Sequence, residues 1–425
     1  MLGKKIYEWC EDLFPLNRSL TGEGNRQTLS YLKGILPQLE IKKIQSGTQV
    51  FDWKIPREWK VNAAYIITPS GKKICDFSQC NLHLVGYSMP VNKKVSLQEL
   101  KEHLHFLPEQ PSAIPYVTSY YAENWGFCLS YEEFIELEEG VYQVVIDSVL
   151  FNGELNYGEL ILPGDSEKEV LISTYICHPS LANNELSGPA VAASLAEKLA
   201  AQKNRRFTYR ILFLAETIGA IAYLAENLEH MKNQTIAGFV LTCVGDNNKY
   251  SFLPSRQGGT LADRAALQTL KWLEEKVDYY SYLDRGSDER QYCSPNVNLP
   301  VCSIMRSKYG EYPEYHTSLD NLDFISPEGL EGAHSVLWKT IELIENNYIY
   351  QAVFPCEPQL GKRGLYPDIS SINTDYASIE DMMNFLAYAD GEQDLIEIAD
   401  TINVPASKLI NLASKLLEHG VIKKI

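Results

Sequence analysis

Residues 171–188, LISTYICHPSLANNELSG, constrain the fold of this chain more than any other stretch. Leu171, Ile172, Tyr175 and Ile176 form the short apolar run that a strand needs when helices cover both of its faces. His178 stands where that strand should stop, and Asn183, Asn184, Glu185 and Ser187 crowd ligand and helix-cap chemistry into the next few positions. Open α/β sheets place their chemistry at the carboxyl ends of strands. The stretch therefore reads as strand, histidine, polar turn and helix start, and it marks the candidate active site.

The sequence around it repeats that grammar. VYQVVIDSVLFNGELNYGELILPG reads as an amphipathic, hairpin-like pair of strands. A helix from Pro189, the strand YRILFLA, a helix over about residues 219–231, the strand AGFVLTCVG, a helix over about 260–276, the strand PVCSIM and a helix over 327–347 follow. Strands alternating with helices of this length predict a parallel sheet with helices on both faces. Three segment ends then offer chemistry: His178 with Asn184, Glu216 in LFLAETIG, and His316 in EYPEYHTSLDNLDF. Histidine is a common zinc ligand, and a carboxylate at a strand end is placed to act as a general base. Each alone is more often structural; together, on successive units of one sheet, they point to a site.

The flanking regions differ in character. Residues 4–36 read as two helices joined by a break at 15–24, where Arg18, Ser19 and Thr21 have two readings, lining a site or, more simply, a loop with a helix cap. Residues 51–134 alternate strand-like runs with Pro- and Gly-containing turns, the pattern of a mostly β insertion. Its His83, His103 and His105 read as surface residues. The segment 360–425 shows helix, turn, helix, turn, helix and an apolar end, which resembles a winged helix. Residues 1–50 and 135–350 then form the α/β core.

Charge and cysteine content narrow the function. The net charge of −17 opposes attraction to nucleic acid or anionic membrane. From residue 366 onward four lysines face ten acidic residues, so the tail lacks the basic face of a DNA reader and favours a protein partner or a homo-oligomer. Nine cysteines without a CxxC pair fit reduced thiols, and no apolar run is long enough to span a bilayer, which together predict a cytoplasmic protein.

HPSLANNELSG, AETIGA and EYHTSLD, in that order, resemble the zinc-dependent exopeptidase clan of bacterial aminopeptidases and glutamate carboxypeptidases. The phrases RSLTGEG, FDWKIPREW, DRGSDERQYCSP and YGEYPEYHTSLDNLDF narrow the likeness to aminopeptidase-like proteins with a β insertion and a C-terminal winged helix. The resemblance implies a phosphorylase/hydrolase-like mixed sheet with helices on both faces. It also implies metal ligands at His178 and His316, a general base at Glu216, and Asn184 in the place of the aspartate that bridges two zinc ions. Thr217 and Thr242 stand where further metal carboxylates are expected, with Asp246 as a substitute four residues on. An amide or hydroxyl holds zinc less well than a carboxylate, so one Zn²⁺ ion is expected rather than two.

The expected activity is hydrolysis of an amide bond in a small peptide or aminoacyl conjugate by a metallo-aminopeptidase-like enzyme, and the rival is a degenerate peptidase fold that binds a ligand. Asp288, Glu289, Arg290, Tyr312 and Tyr315 are the expected substrate-binding residues. The charges of residues 284–291 alternate so closely that Arg290 has two readings: it holds a substrate anion, or it pairs with its acidic neighbours.

Overall fold

The computed structural model describes residues 1–365 and 376–425, in two compact units. The first comprises residues 1–258 and 277–334. Its main sheet has eight strands, in the order Glu40–Gln45, Glu154–Leu162, Phe207–Leu214, Ser166–Tyr175, Thr235–Leu241, Val301–Met305, Tyr250–Leu253 and Val277–Tyr279. The four strands from Phe207–Leu214 to Val301–Met305 run parallel, while strands toward both edges include antiparallel pairings. All eight residues of Phe207–Leu214 and the last seven of Ser166–Tyr175 are buried, as expected for strands covered on both faces.

The helix Ser187–Ala201 packs against this centre through small residues. A Cβ on Gly188 would lie 2.4 Å from the Leu241 carbonyl oxygen and 2.5 Å from Thr174 Oγ1, so only glycine allows the helix to start this close to two strands. That approach fixes the turn carrying Asn183 and Asn184 over the end of the sheet.

The expected hairpin after residue 139 does not form. Val141–Phe151 buries alternate residues and pairs with Glu58–Ile67 and Val91–Ser96 in a separate four-stranded antiparallel sheet. Glu154–Leu162 is buried on both faces and joins the main sheet instead. The difference in burial period, two against continuous, is what separates them. The β insertion thus extends past residue 134, to Phe151. His83 in this region is buried, with Nδ1 2.8 Å from the Cys128 carbonyl oxygen, rather than exposed.

The second unit comprises residues 259–276 and 335–425. Its three-stranded antiparallel sheet has the order Asp390–Asp394, Ile349–Ala352, Ile422–Lys424, and the helices Tyr376–Tyr388, Leu395–Thr401 and Ala406–Glu418 complete the winged-helix pattern. The first strand begins before the expected boundary at 360, because Ile349–Ala352 supplies the middle of the sheet. The residues that begin the expected tail, 366–375, lie outside the described residues.

The helix Leu261–Leu270, capped by reciprocal hydrogen bonds between Thr260 and Asp263, belongs to this second unit. Arg264 makes a bidentate pair with Asp394 at 2.9 and 2.7 Å, and Gln268 donates to Asp400. Among the described residues, no helix is long and apolar enough to cross a membrane.

Candidate active site

His178 follows the central strand and is 4% exposed. Its Nδ1 lies 2.8 Å from Glu185 Oε2, and the neutral tautomer that donates there leaves the Nε2 lone pair facing Glu216 Oε2, 3.7 Å away. Burial, with the Arg18 charge adding to it, pushes the His178 pKa down to about 3. His316 closes the other side, with ring centroids 5.4 Å apart. Its Nε2 is buried without a hydrogen-bond partner, and burial together with His178 lowers its pKa to about 3. Both imidazoles are therefore neutral at physiological pH.

Glu216 ends its strand as expected, and burial pushes its carboxyl up to about 7 against the opposing field of Arg290. The next residue, Thr217, has φ 63° and ψ −76°, and His316 has φ 56°. A β-branched residue at such a φ is strained, and this kind of strain collects at functional sites. Here it turns the chain sharply between Glu216 and the helix Ile218–Gln234.

A cavity of about 380 Å³ brings His178, Glu216 and His316 together with Arg290, Tyr116 and Trp53. The last two come from the β insertion, which therefore covers the site. The Tyr116 ring packs 5.1 Å from His178 and 5.2 Å from His316. Its backbone N–H donates to the His316 carbonyl at 2.8 Å, while Ile114 N–H donates to Ser318 Oγ and Ser318 N–H to the Ile114 carbonyl. The cover is thus stitched to the histidine loop by backbone pairing.

The remaining expected site residues are placed differently. All four acceptor positions of Asp246 are used: Asn183 Nδ2 and Ser307 N–H on one oxygen, Asn248 N–H and Ser307 Oγ on the other. It braces two loops and has no lone pair to offer a metal. Glu289 Oε1 likewise accepts from Gly286 N–H, Ser287 N–H and Tyr309. Asp288 receives the Thr217 N–H at 2.7 Å and is wholly buried. Tyr312 donates to Asp320, and Tyr315 stacks on His316 at 3.9 Å. Of the five expected substrate contacts, Arg290 is the one among the residues that line the cavity.

Asn184 sits in a π-type turn over Ala182–Leu186. Its Oδ1 lies 3.1 Å from the Tyr175 hydroxyl, which is also 2.6 Å from Thr242 Oγ1, and its Nδ2 is buried without a partner. Thr217 Oγ1 accepts from Arg290 at 2.7 Å. The three positions where carboxylates were expected are thus joined to neighbours by neutral or cationic hydrogen bonds. Cys177, His178 and Glu185 do hold ligand atoms within 4.8 Å of one another. That cluster is a poor cation site: its Nδ1 and carboxylate already bond each other, and the buried Arg18 guanidinium stands 3.6 Å from Glu185.

Four more residues shape the site: Arg18 and Glu185 stood out in the sequence without these roles, and Asp320 and Tyr116 did not stand out. Arg18 is wholly buried and donates Nε to the His178 carbonyl at 3.1 Å, so the RSLTGEG loop supports the site from behind. Glu185 orients His178. Asp320 accepts from Asn183 N–H and Asn184 N–H at 2.6 and 3.0 Å, tying the histidine loop to the polar turn. Tyr116 roofs the histidines.

Residues 7–347 match a family described as a domain of unknown function, DUF4910. The chain belongs to this family. It is 43% identical over 399 residues, 93% of this chain and 91% of the other, to a Clostridium acetobutylicum protein named "Putative polysaccharide biosynthesis protein with aminopeptidase-like domain". A crystal structure of a "putative peptidase" from Clostridium acetobutylicum superposes with a TM-score of 0.93 at 40% identity, covering 100% of this chain and 96% of that one. The zinc aminopeptidase BSAP of Bacillus subtilis shares the fold, with a TM-score of 0.59 at 12% identity over 80% of this chain and 94% of its own. Residues 348–424 match a winged helix-turn-helix family. This DUF4910 chain therefore has an aminopeptidase-like α/β fold followed by a C-terminal winged helix, as its sequence led us to expect.

Proposed function

We propose that this protein is a zinc-dependent hydrolase of an amide bond in a small, peptide-like or acylated substrate. The observation that carries this is the convergence on one cavity of His178 Nε2, Glu216 and the unpartnered, buried His316 Nε2. The two neutral imidazoles supply two of the donors that a single catalytic zinc takes, and the carboxylate beside them is placed to serve as its base. A second ion does not fit, because Asn184, Thr217 and Thr242 bring no charge to it.

His178 and His316 would hold the ion, with Glu216 beside it. When bound, zinc supplies Lewis-acid polarisation of a carbonyl and an activated water. Glu185 keeps His178 in the required tautomer by accepting from Nδ1. Glu216, with its pKa raised by burial, takes a proton from water as the C–O bond forms and returns it to the leaving nitrogen as the C–N bond breaks. Tyr116 and the stitched cover limit the entry of bulk water.

Measured zinc per chain after dialysis tests the reading: about one equivalent is expected, and none would overturn it. Glu216→Gln should then lower hydrolysis by about 10²- to 10⁴-fold with zinc content unchanged. The missing carboxylates favour one rival, a ligand-binding protein without turnover, for which zinc-free protein would still bind its ligand. For the winged helix, the acidic tail supports contact with protein rather than DNA.

A further inference from the structure

Arg290 is the only lysine or arginine among the residues that line the cavity. Its NH2 donates to Thr217 Oγ1 at 2.7 Å, and among the described residues no carboxylate lies within ion-pair distance of it. Of the two readings of this arginine, pairing with Asp284, Asp288 or Glu289 is thus not the one realised. The remaining donors of a guanidinium held at one corner are directed by its planar geometry and suit the two oxygens of a carboxylate or phosphate.

The rest of the wall is aromatic and hydroxylated. Trp53 and Tyr121 meet edge to face with centroids 5.8 Å apart, and they are 40% and 57% exposed. Deeper in, the Tyr116 and Tyr120 hydroxyls are 2.6 Å apart, and Thr118 adds another hydroxyl to the wall. Flat apolar faces next to hydroxyl groups match a pyranose ring, which has apolar C–H faces and a polar edge. A peptide with a free amino terminus needs a carboxylate for its ammonium group. Glu216 is the only carboxylate on this wall, and the mechanism already uses it.

We propose that the substrate is an acylated amino sugar bearing an anionic group, its ring against Trp53 and Tyr121 and its phosphate or carboxylate on Arg290. This deepens the hydrolase reading and rests on it for the amide, but binding can be read without turnover. Calorimetric titration of the full-length protein with N-acetylglucosamine 6-phosphate, N-acetylmuramic acid, neutral N-acetylglucosamine and L-leucinamide separates the cases. At least one acidic sugar should bind about ten- to a hundredfold more tightly than the neutral sugar, as expected for a charge-assisted pair. Which of the two does so identifies phosphate or carboxylate as the anion.

Arg290→Gln should erase that preference, and Trp53→Ala should weaken all the sugars alike. Equal binding of acidic and neutral sugars, a preference that survives Arg290→Gln, tightest binding of leucinamide, or no binding of either acidic sugar would each overturn the proposal. Hydrolysis measured on simple amides would still stand or fall separately.

Discussion

Burial that holds the Glu216 carboxyl up at about 7, from an ordinary value of 4.5, also makes the folded state sensitive to pH. A carboxyl with a raised pKa favours folding most below its unfolded value, and that contribution is lost as pH rises toward the folded value. His178 and His316, lowered to about 3, act in the opposite sense, but their effect is complete above 6.5. Between pH 6.5 and 8 the raised carboxyls Glu216 and Glu185 still titrate, and burial beside Glu216 also pushes the Asp288 carboxyl well up. Thermal melts in chelator should therefore fall across that window, and Glu216→Gln should flatten part of the fall. An unchanged slope in the variant would show that Glu216 does not hold its proton. At this scale the residues named from sequence that meet in the cavity were His178 and Glu216, just past their strands, and His316, in a loop. Asp246 misled because a carboxylate near a site looks the same in sequence whether it faces a metal or four hydrogen-bond donors. The role of Arg18 was not legible for the converse reason: its hydrogen bonds go to the His178 and Leu13 carbonyls, which no side-chain pattern announces.

Segments of the β insertion do more than decorate the core. The pairing of residues 114–116 with residues 316–318 closes the roof over both histidines, and Ser318 Oγ accepts one of its N–H groups. Ser318→Ala should cost about 1 kcal/mol locally. Hydrogen exchange at residues 114–120 should speed up while the central strands stay protected, and uniform acceleration would mean that the roof is not a local unit. The parallel centre of the sheet was readable because burial on both faces leaves uninterrupted apolar runs. The roof was not, since register between a loop and an insertion depends on backbone pairing rather than side-chain period. The false hairpin has the same origin: adjacent strands looked paired, and only the contrast between alternating and continuous burial assigns Val141–Phe151 and Glu154–Leu162 to different sheets.

For the molecule as a whole, family boundaries and physical boundaries disagree. The two matched families meet at residues 347 and 348, whereas residues 259–276 belong to the C-terminal unit. A chain cut after residue 347 would keep the helix Leu261–Leu270 and lose Asp394 and Asp400. It should express poorly or melt well below the full-length protein, whereas Arg264→Ala, which breaks the partly exposed pairs with Asp394 and Glu397, should cost about 1 kcal/mol, or ~2–4 °C. A truncated chain as stable as the whole would show that this helix does not need its partners. The winged helix itself was visible from sequence, because its helices carry their own apolar spacing; the borrowed helix was not, since its amphipathic pattern fits either unit.

That borrowed helix sets a clock on synthesis. Arg264 and Asp394 are 130 positions apart. At ~5–20 residues per second, the helix waits about 6 to 26 seconds on the ribosome before its partner exists. During that interval the side that meets Leu395–Thr401 has no native surface to cover it, so slowing translation over the last third of the message should raise the demand for chaperones.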